Sequence, residues 1–170
     1  VRVSIPHVEG AVPAKILRKE ARVGDLAMDV RLVGTSPEWF KMYPRDIVAG
    51  RVFTETDNQR HANVCVLAED VARKLLATGQ GLGQPVRIGG DYFRVVGIIR
   101  TEATGSGGSG VQTPDRSNDA YIPFEVCRER YGDMNLLVAS GSRALEQVDL
   151  YQIIVRVDAL ENVEATARNI

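Results

Sequence analysis

The residue pattern closest to a cofactor signature is Gly105-Ser106-Gly107-Gly108-Ser109-Gly110, which satisfies G-x-G-x-x-G. In a dinucleotide or phosphate site such glycines let the backbone approach the ligand, and a helix beginning at the loop turns its free N–H groups onto the charge. Here Val111-Gln112-Thr113-Pro114-Asp115-Arg116 follows, a run in which no helix starts. The segment reads as a flexible surface loop or as an inserted linker, and no cofactor is expected. Histidine and cysteine chemistry is equally thin, with only His7, His61, Cys65 and Cys127 present. The cysteines form no C-x-x-C. Cys65 sits in the apolar run Val64-Cys65-Val66-Leu67 and reads as a small buried hydrophobe, while Cys127 has no evident role. His61 and Cys65 stand at i and i+4 on a loop-to-strand segment rather than on one helix face, which does not make a metal half-site. His7, beside Pro6, reads as a turn residue. No G-x-S-x-G elbow and no G-x-x-x-x-G-K-[ST] phosphate loop occurs, so no catalytic residue and no metal ligand is expected, and no ATP site. A Ser-His-Asp set scattered along the chain stays open as a minor alternative.

Binding chemistry is better represented. Trp39 is the only tryptophan. It reads either as an aromatic anchor seating a short helix on a sheet or as a partner-contact residue, since Trp and Arg are enriched at interface centres. Arg51 and the loop glycines Gly105, Gly107, Gly108 and Gly110 join it as partner-contact candidates. The segment 101–118 is polar and rich in Gly and Ser, with Val111 as almost its only apolar side chain. Ordering each residue costs roughly 1–2 kcal/mol, and so little apolar surface cannot offset it. The expectation is an exposed, mobile loop that a partner orders.

The elements that must position these residues are legible from periodicity and turn chemistry. Residues 8–17 are apolar around Pro13 and read as an extended or edge strand; 18–25 read as a polar turn; 26–33 alternate as a half-buried strand. Ser36-Pro37-Glu38-Trp39-Phe40 looks like a helix start, with Ser36 as N-cap, and Pro44 ends it. Residues 49–53 turn into a short extended piece, 54–62 read as polar loop and 63–67 as a buried strand. Ala68, Val71, Ala72, Leu75 and Leu76 recur with helical spacing. Residues 86–88 and 92–99 flank Gly89-Gly90-Asp91 as a hairpin. Short strands at 120–123, 136–139 and 150–157 and a short helix at 124–131 complete the pattern. Strands outnumber helices, which gives an α+β class with mixed sheets and short helices.

The 170 residues carry 21 Lys+Arg and 22 Asp+Glu, a net charge of −1, with no basic run to hold a phosphate backbone, so nucleic acid is not an expected partner. No run is long and apolar enough for a membrane span. The chain opens on Val1, without Met, and ends within a helical face at Leu160, Val163, Ala167 and Ile170. The expectation is an excised segment whose two flanks are helices running into membrane spans.

The ordered motifs resemble the extracytoplasmic core domain of MacB-type ABC transporter permeases, the superfamily that includes LolC- and FtsX-like proteins. Val33-Gly34-Thr35-Ser36-Pro37-Glu38-Trp39-Phe40 and Ala49-Gly50-Arg51-Val52-Phe53-Thr54-Glu55-Thr56-Asp57 carry the first part of the likeness. Val64-Cys65-Val66-Leu67-Ala68-Glu69-Asp70-Val71-Ala72, Gly83-Gln84-Pro85-Val86-Arg87-Ile88-Gly89-Gly90, Val95-Val96-Gly97-Ile98 and Asp119-Ala120-Tyr121-Ile122-Pro123-Phe124 continue it in order. Ala68 stands where a Gly is usual and Pro85 where a small or polar residue is. The resemblance implies two subdomains: a membrane-proximal, porter-like one from 1–34 and 146–170, and an inserted, sabre-like one from 35–145. It implies a non-enzymatic periplasmic domain of an inner-membrane permease that couples ATP-driven motion to export or to a partner outside the membrane. The implied partners are an ABC ATPase subunit or domain, a second permease copy and a periplasmic adaptor protein or lipoprotein. The chain alone is expected to be monomeric and to bind no nucleotide. A binding or regulatory module that recruits an adaptor or a cell-wall enzyme, without moving substrate, is the alternative.

Overall fold

A computed structural model describes residues 8–76, 81–101, 116–132, 134–139, 142–147 and 152–157. Its first strand, β1 (Val8–Val23), is 16 residues long and forms a hairpin with β2 (Leu26–Thr35) across the Gly24-Asp25 turn. After α1 (Glu38–Met42) come β3 (Ile47–Gly50), α2 (Glu55–Gln59), β4 (Val64–Ala68) and α3 (Glu69–Leu75). Then follow the hairpin β5 (Pro85–Ile88) and β6 (Asp91–Ile99), β7 (Asp119–Pro123), α4 (Phe124–Tyr131), the hairpin β8 (Met134–Ala139) and β9 (Ser142–Gln147), and β10 (Gln152–Val157).

Strand pairing decides the architecture. The main sheet runs β10-β1-β2-β7-β4-β6-β3, parallel at β2/β7 and β4/β6 and antiparallel elsewhere. β5 pairs with both β6 and the far end of β1, through Ala21↔Ile88 and Arg22↔Arg87. Six strands, β1-β2-β7-β4-β6-β5, therefore close into a ring. Every strand of that ring sends two side chains into one buried cluster: Leu17 and Ala21, Val30 and Leu32, Ala120 and Ile122, Cys65 and Leu67, Phe93 and Val95, Val86 and Ile88. The period-2 alternation of strands produces this inner face, and α3 and α4 add Val71, Leu75, Val126 and Cys127 to it. α4 sits so close to β2 that a Cβ at Gly34 would fall 2.3 Å from that of Cys127, so the glycine is what admits the helix.

A second cluster lies on the outside of the ring. Val12 and Ala14 of β1, Val33, Tyr121, Val64, Val66 and Ile99 face outward there, and Trp39, Met42 and Phe53 cover them. The central strands β4 and β7 are thus buried on both faces and read as continuous apolar runs.

Three local expectations change. Residues 18–23 continue β1 instead of turning, because only one face of the strand is buried there: Leu17 and Ala21 point in, and Arg18, Glu20 and Arg22 point to solvent. Ser36 caps nothing with its side chain; Pro37 holds the cap position and the Ser36 carbonyl accepts from the Trp39 N–H at 3.0 Å. Residues 54–62 are not all loop. Thr54 and Asp57 form a reciprocal capping box, the Thr54 hydroxyl accepting from the Asp57 N–H and the Asp57 carboxylate from the Thr54 N–H, and this starts α2. β9 has no counterpart among the expected strands.

Candidate functional site

α1 is only five residues long, and a helix that short holds its place through packing rather than propensity. Its apolar side chains lie against the outer face of β1 and β7. Trp39 is 3% exposed, with ring centroids 4.9 Å from Tyr43 and 6.1 Å from Tyr121. Phe40 meets Phe53 edge-on at 5.2 Å and Tyr121 at 5.5 Å. Such tilted and edge-to-face pairs suit the quadrupoles of the rings. Trp39 thus occupies the place of the helix anchor, with almost no surface left to offer.

A charged group threads this aromatic cluster. Asp119, fully buried on β7, accepts two hydrogen bonds from the Arg31 guanidinium, at 2.7 and 2.8 Å, and a third from the Tyr121 hydroxyl at 2.6 Å. Burial, reinforced by the Asp119 charge, pushes the Tyr121 phenol up, so it stays a donor at any ordinary pH. The two-pronged Arg–carboxylate pair ties β2 to β7 beyond their five-residue parallel ladder. Arg116 lies over the ring of Tyr43 at 4.5 Å and that of Trp39 at 5.9 Å, a cation–π contact on the aromatic surface. At the other end of α1, Arg156 of β10 donates to the Met42 carbonyl at 3.1 Å. A depression of about 260 Å³ opens beside it, floored by Gly10, Val12 and Met42 and rimmed by Glu38, Lys41 and Arg156.

Arg51 lies elsewhere, past β3. Its guanidinium donates to both Asp57 carboxylate oxygens, at 2.7 and 3.3 Å, and to the Val52 carbonyl. That pairing, opposed by partial burial and helped by the Thr54 N–H, holds the Asp57 carboxyl down at about 2. The backbone here is pressed onto β6: a Cβ at Gly97 would meet the Arg51 carbonyl oxygen at 2.0 Å. Arg51 therefore supports a capping box from a half-exposed position. Gly105, Gly107, Gly108 and Gly110, with the loop around them, lie outside the described residues, as does His7.

The remaining reactive side chains are dispersed. Cys65 points into the ring and Cys127 against Gly34, both as free thiols; burial pushes Cys127 up to about 11 and Cys65 higher still. His61 is far more exposed than Cys65 and pairs with Glu129 at 2.8 Å. Among the described residues no three His, Cys, Asp or Glu side chains gather as metal ligands, and no helix is long and apolar enough to cross a membrane. The Arg31–Asp119–Tyr121 cluster was invisible to sequence reasoning, because nothing local links positions so far apart; the one clue was an Asp opening an apolar strand.

Comparison with known proteins fits this architecture. The model of the MacB-like periplasmic core domain family matches residues 1–170. A macrolide export ATP-binding/permease protein MacB of Bdellovibrio bacteriovorus is 30% identical over 162 residues, covering 95% of this chain and 24% of that protein. A pyoverdine export ATP-binding/permease protein PvdT of Pseudomonas putida is 30% identical over 129 residues, covering 74% of this chain and 19% of that one. The chain thus spans about a quarter or less of the length of these curated relatives. Among solved structures, the extracellular domain of the noncanonic ABC-type transporter YknZ from Gram-positive bacteria superposes with a TM-score of 0.69 at 19% identity, covering 96% of this chain and 72% of that one. The periplasmic region of MacB from Actinobacillus actinomycetemcomitans gives 0.66 at 20% identity, with 96% and 65% covered. At these identities the structures speak for the fold.

Proposed function

This chain belongs to the MacB-like periplasmic core domain family, and from that premise we propose that it is the part of an ABC permease outside the membrane that turns ATP-driven motion into export. The observation that carries the reading is the family match across the entire chain. The fold supplies a physical route. β1 is one uninterrupted strand of 16 residues, about 50 Å at roughly 3.3 Å per residue. Near its start it pairs with β10, and near its end with β5. A displacement applied where β1 and β10 leave the sheet would travel along a hydrogen-bonded strand to the far side of the ring, without a flexible joint in between.

In this reading 1–34 and 146–170 form the membrane-proximal, porter-like part, and 35–145 the sabre-like insertion. The shared sheet ties the two parts together. Motion would come from an ABC ATPase subunit or domain through membrane helices, in concert with a second permease copy. A periplasmic adaptor protein or lipoprotein would receive it. The work of such a domain lies in interfaces and conformational change rather than in bond chemistry. The test is made in the full-length permease. Replacing residues 9–156 by a short linker should leave ATP hydrolysis measurable and abolish export of the transported compound. Undiminished export would overturn the reading.

A further inference from the structure

Among the described residues, the outer face of the ring is covered by α1 and Phe53 over one half and bare over the other. On the bare half, Arg22 of β1 stands directly opposite Arg87 of β5, and Arg87 directly opposite Tyr92 of β6. Their neighbours Ala21 and Ile88 point into the ring, so these three side chains point out. Tyr92 is 64% exposed. With strands about 4.8 Å apart, Arg22, Arg87 and Tyr92 make a row about 10 Å wide. Arg18, four positions before Arg22, and Arg94, two after Tyr92, share this face and are exposed. A depression of about 300 Å³ beside the row is lined by Glu20, Arg22, Arg87 and the Gly89-Gly90 turn.

Like charges placed directly opposite on paired strands destabilise a sheet. Glu20 offsets part of this by pairing with Arg22 at 3.1 Å. Among the described residues no carboxylate lies within ion-pair distance of Arg18, Arg87 or Arg94. On a chain with net charge −1, four arginines and an exposed tyrosine are gathered against Glu20 and Asp29. All four cations are guanidinium forks, whose geometry matches carboxylates in pairs.

We infer that this bare face, centred on Arg22, Arg87 and Tyr92, is a docking surface for an acidic segment of a partner protein. The two carboxylates inside the patch, Glu20 and Asp29, would repel a uniformly charged polyanion such as a lipid surface. A discrete partner that sets its own carboxylates over the arginines avoids them, and Tyr92 offers it an aromatic contact with little entropy to lose. The inference does not depend on the transport reading, since it concerns a surface of this chain alone.

The test uses the whole chain, isotope-labelled for NMR, titrated with a glutamate-rich synthetic peptide and separately with phosphatidylglycerol vesicles. The expected result is that peptide-induced shifts concentrate on 18–22, 85–88 and 91–94, and that R22S/R87S binds about tenfold more weakly while melting as the parent does. Should that double variant fail to fold, Arg94→Ser and Tyr92→Ser, on the same face, are each expected to weaken binding several-fold. Shifts centred elsewhere, or peptide affinity unchanged in the folded variants, would overturn the inference. Vesicles binding in preference to the peptide would overturn it too, by making the partner a membrane surface.

Discussion

The two halves of the outer sheet face are built on the same strands and have opposite chemistry. Over the first half of β1 the outward residues are Val12 and Ala14, roofed by Trp39 and Met42. Over the second half they are Arg18, Glu20 and Arg22, open to solvent. The inner face shifts in the other sense, with Leu17 and Ala21 entering the ring just as the outer face becomes polar. One long strand thus serves two cores in succession, and a sheet face is apolar only where another element lies on it. The covered half also holds the Arg31–Asp119 pair, its carboxylate fully buried, at good geometry and with Tyr121 completing the shell. On the bare half Arg22 and Arg87 face one another in water.

If the contrast is one of burial, the same kind of change should have very different effects on the two halves. The largest is expected at Trp39. Trp39→Ala removes a 3%-exposed indole from between Tyr43 and Tyr121 and should lower stability by about 3–5 kcal/mol in urea unfolding. A loss under about 1 kcal/mol would mean that α1 does not roof this half of the sheet.

A smaller, pH-dependent effect belongs to the rim of the covered half. Asp57 has its carboxyl held at about 2 by Arg51, below its ordinary value of 3.8. A carboxyl depressed on folding stabilises the fold at pH above the ordinary value, and that contribution disappears as pH falls through about 2. Solvent screening of the half-exposed Arg51 limits it to about 1 kcal/mol. Asp57→Asn should therefore be less stable than the parent at pH 7 and converge on it near pH 2. Denaturant midpoints at pH 7, 4 and 2 would show this, and a gap that persisted undiminished at pH 2 would assign the loss to packing instead.

The smallest effect is expected on the bare half. Arg87→Ser removes one of two facing cations and should change stability by less than about 0.5 kcal/mol, in the stabilising direction. A marked destabilisation, seen by thermal melting, would show that this face is a structural part of the fold and would erase the distinction between the halves.

The same contrast separates what could be read in the sequence from what could not. The β5–β6 hairpin, α3 and β7 carry strong local signals: a Gly-Gly-Asp turn, a helical repeat and an apolar run. The end of β1 did not, because Arg18-Lys19-Glu20 puts polar atoms on both sides. Lys19 sits on the inward-facing phase and lays its ammonium over the Tyr131 ring at 5.1 Å, a contact set by tertiary structure alone. α2 was legible in principle, since Thr54 and Asp57 stand at capping-box spacing, but polar composition masked them. Trp39 sits as a helix anchor, one of the two readings its sequence context allows. Ring closure and the Arg31–Asp119 bond join segments 67 and 88 positions apart, and a local window shows at most the Asp that opens β7, never its partner.

That closure also bears on how the chain reaches its fold. The β1–β2 and β5–β6 hairpins join neighbours in sequence and can form early, each at small entropic cost. The seam between them, Ala21↔Ile88 and Arg22↔Arg87, needs the whole intervening chain to be gathered first, and it is only two residue pairs long. The β1–β10 and β2–β7 pairings span still more chain and the β4–β7 ladder is equally short, so all of these belong to the late stage of assembly. Because Ala21 and Ile88 are also members of the inner cluster, parting the seam would open that core beside the charged face.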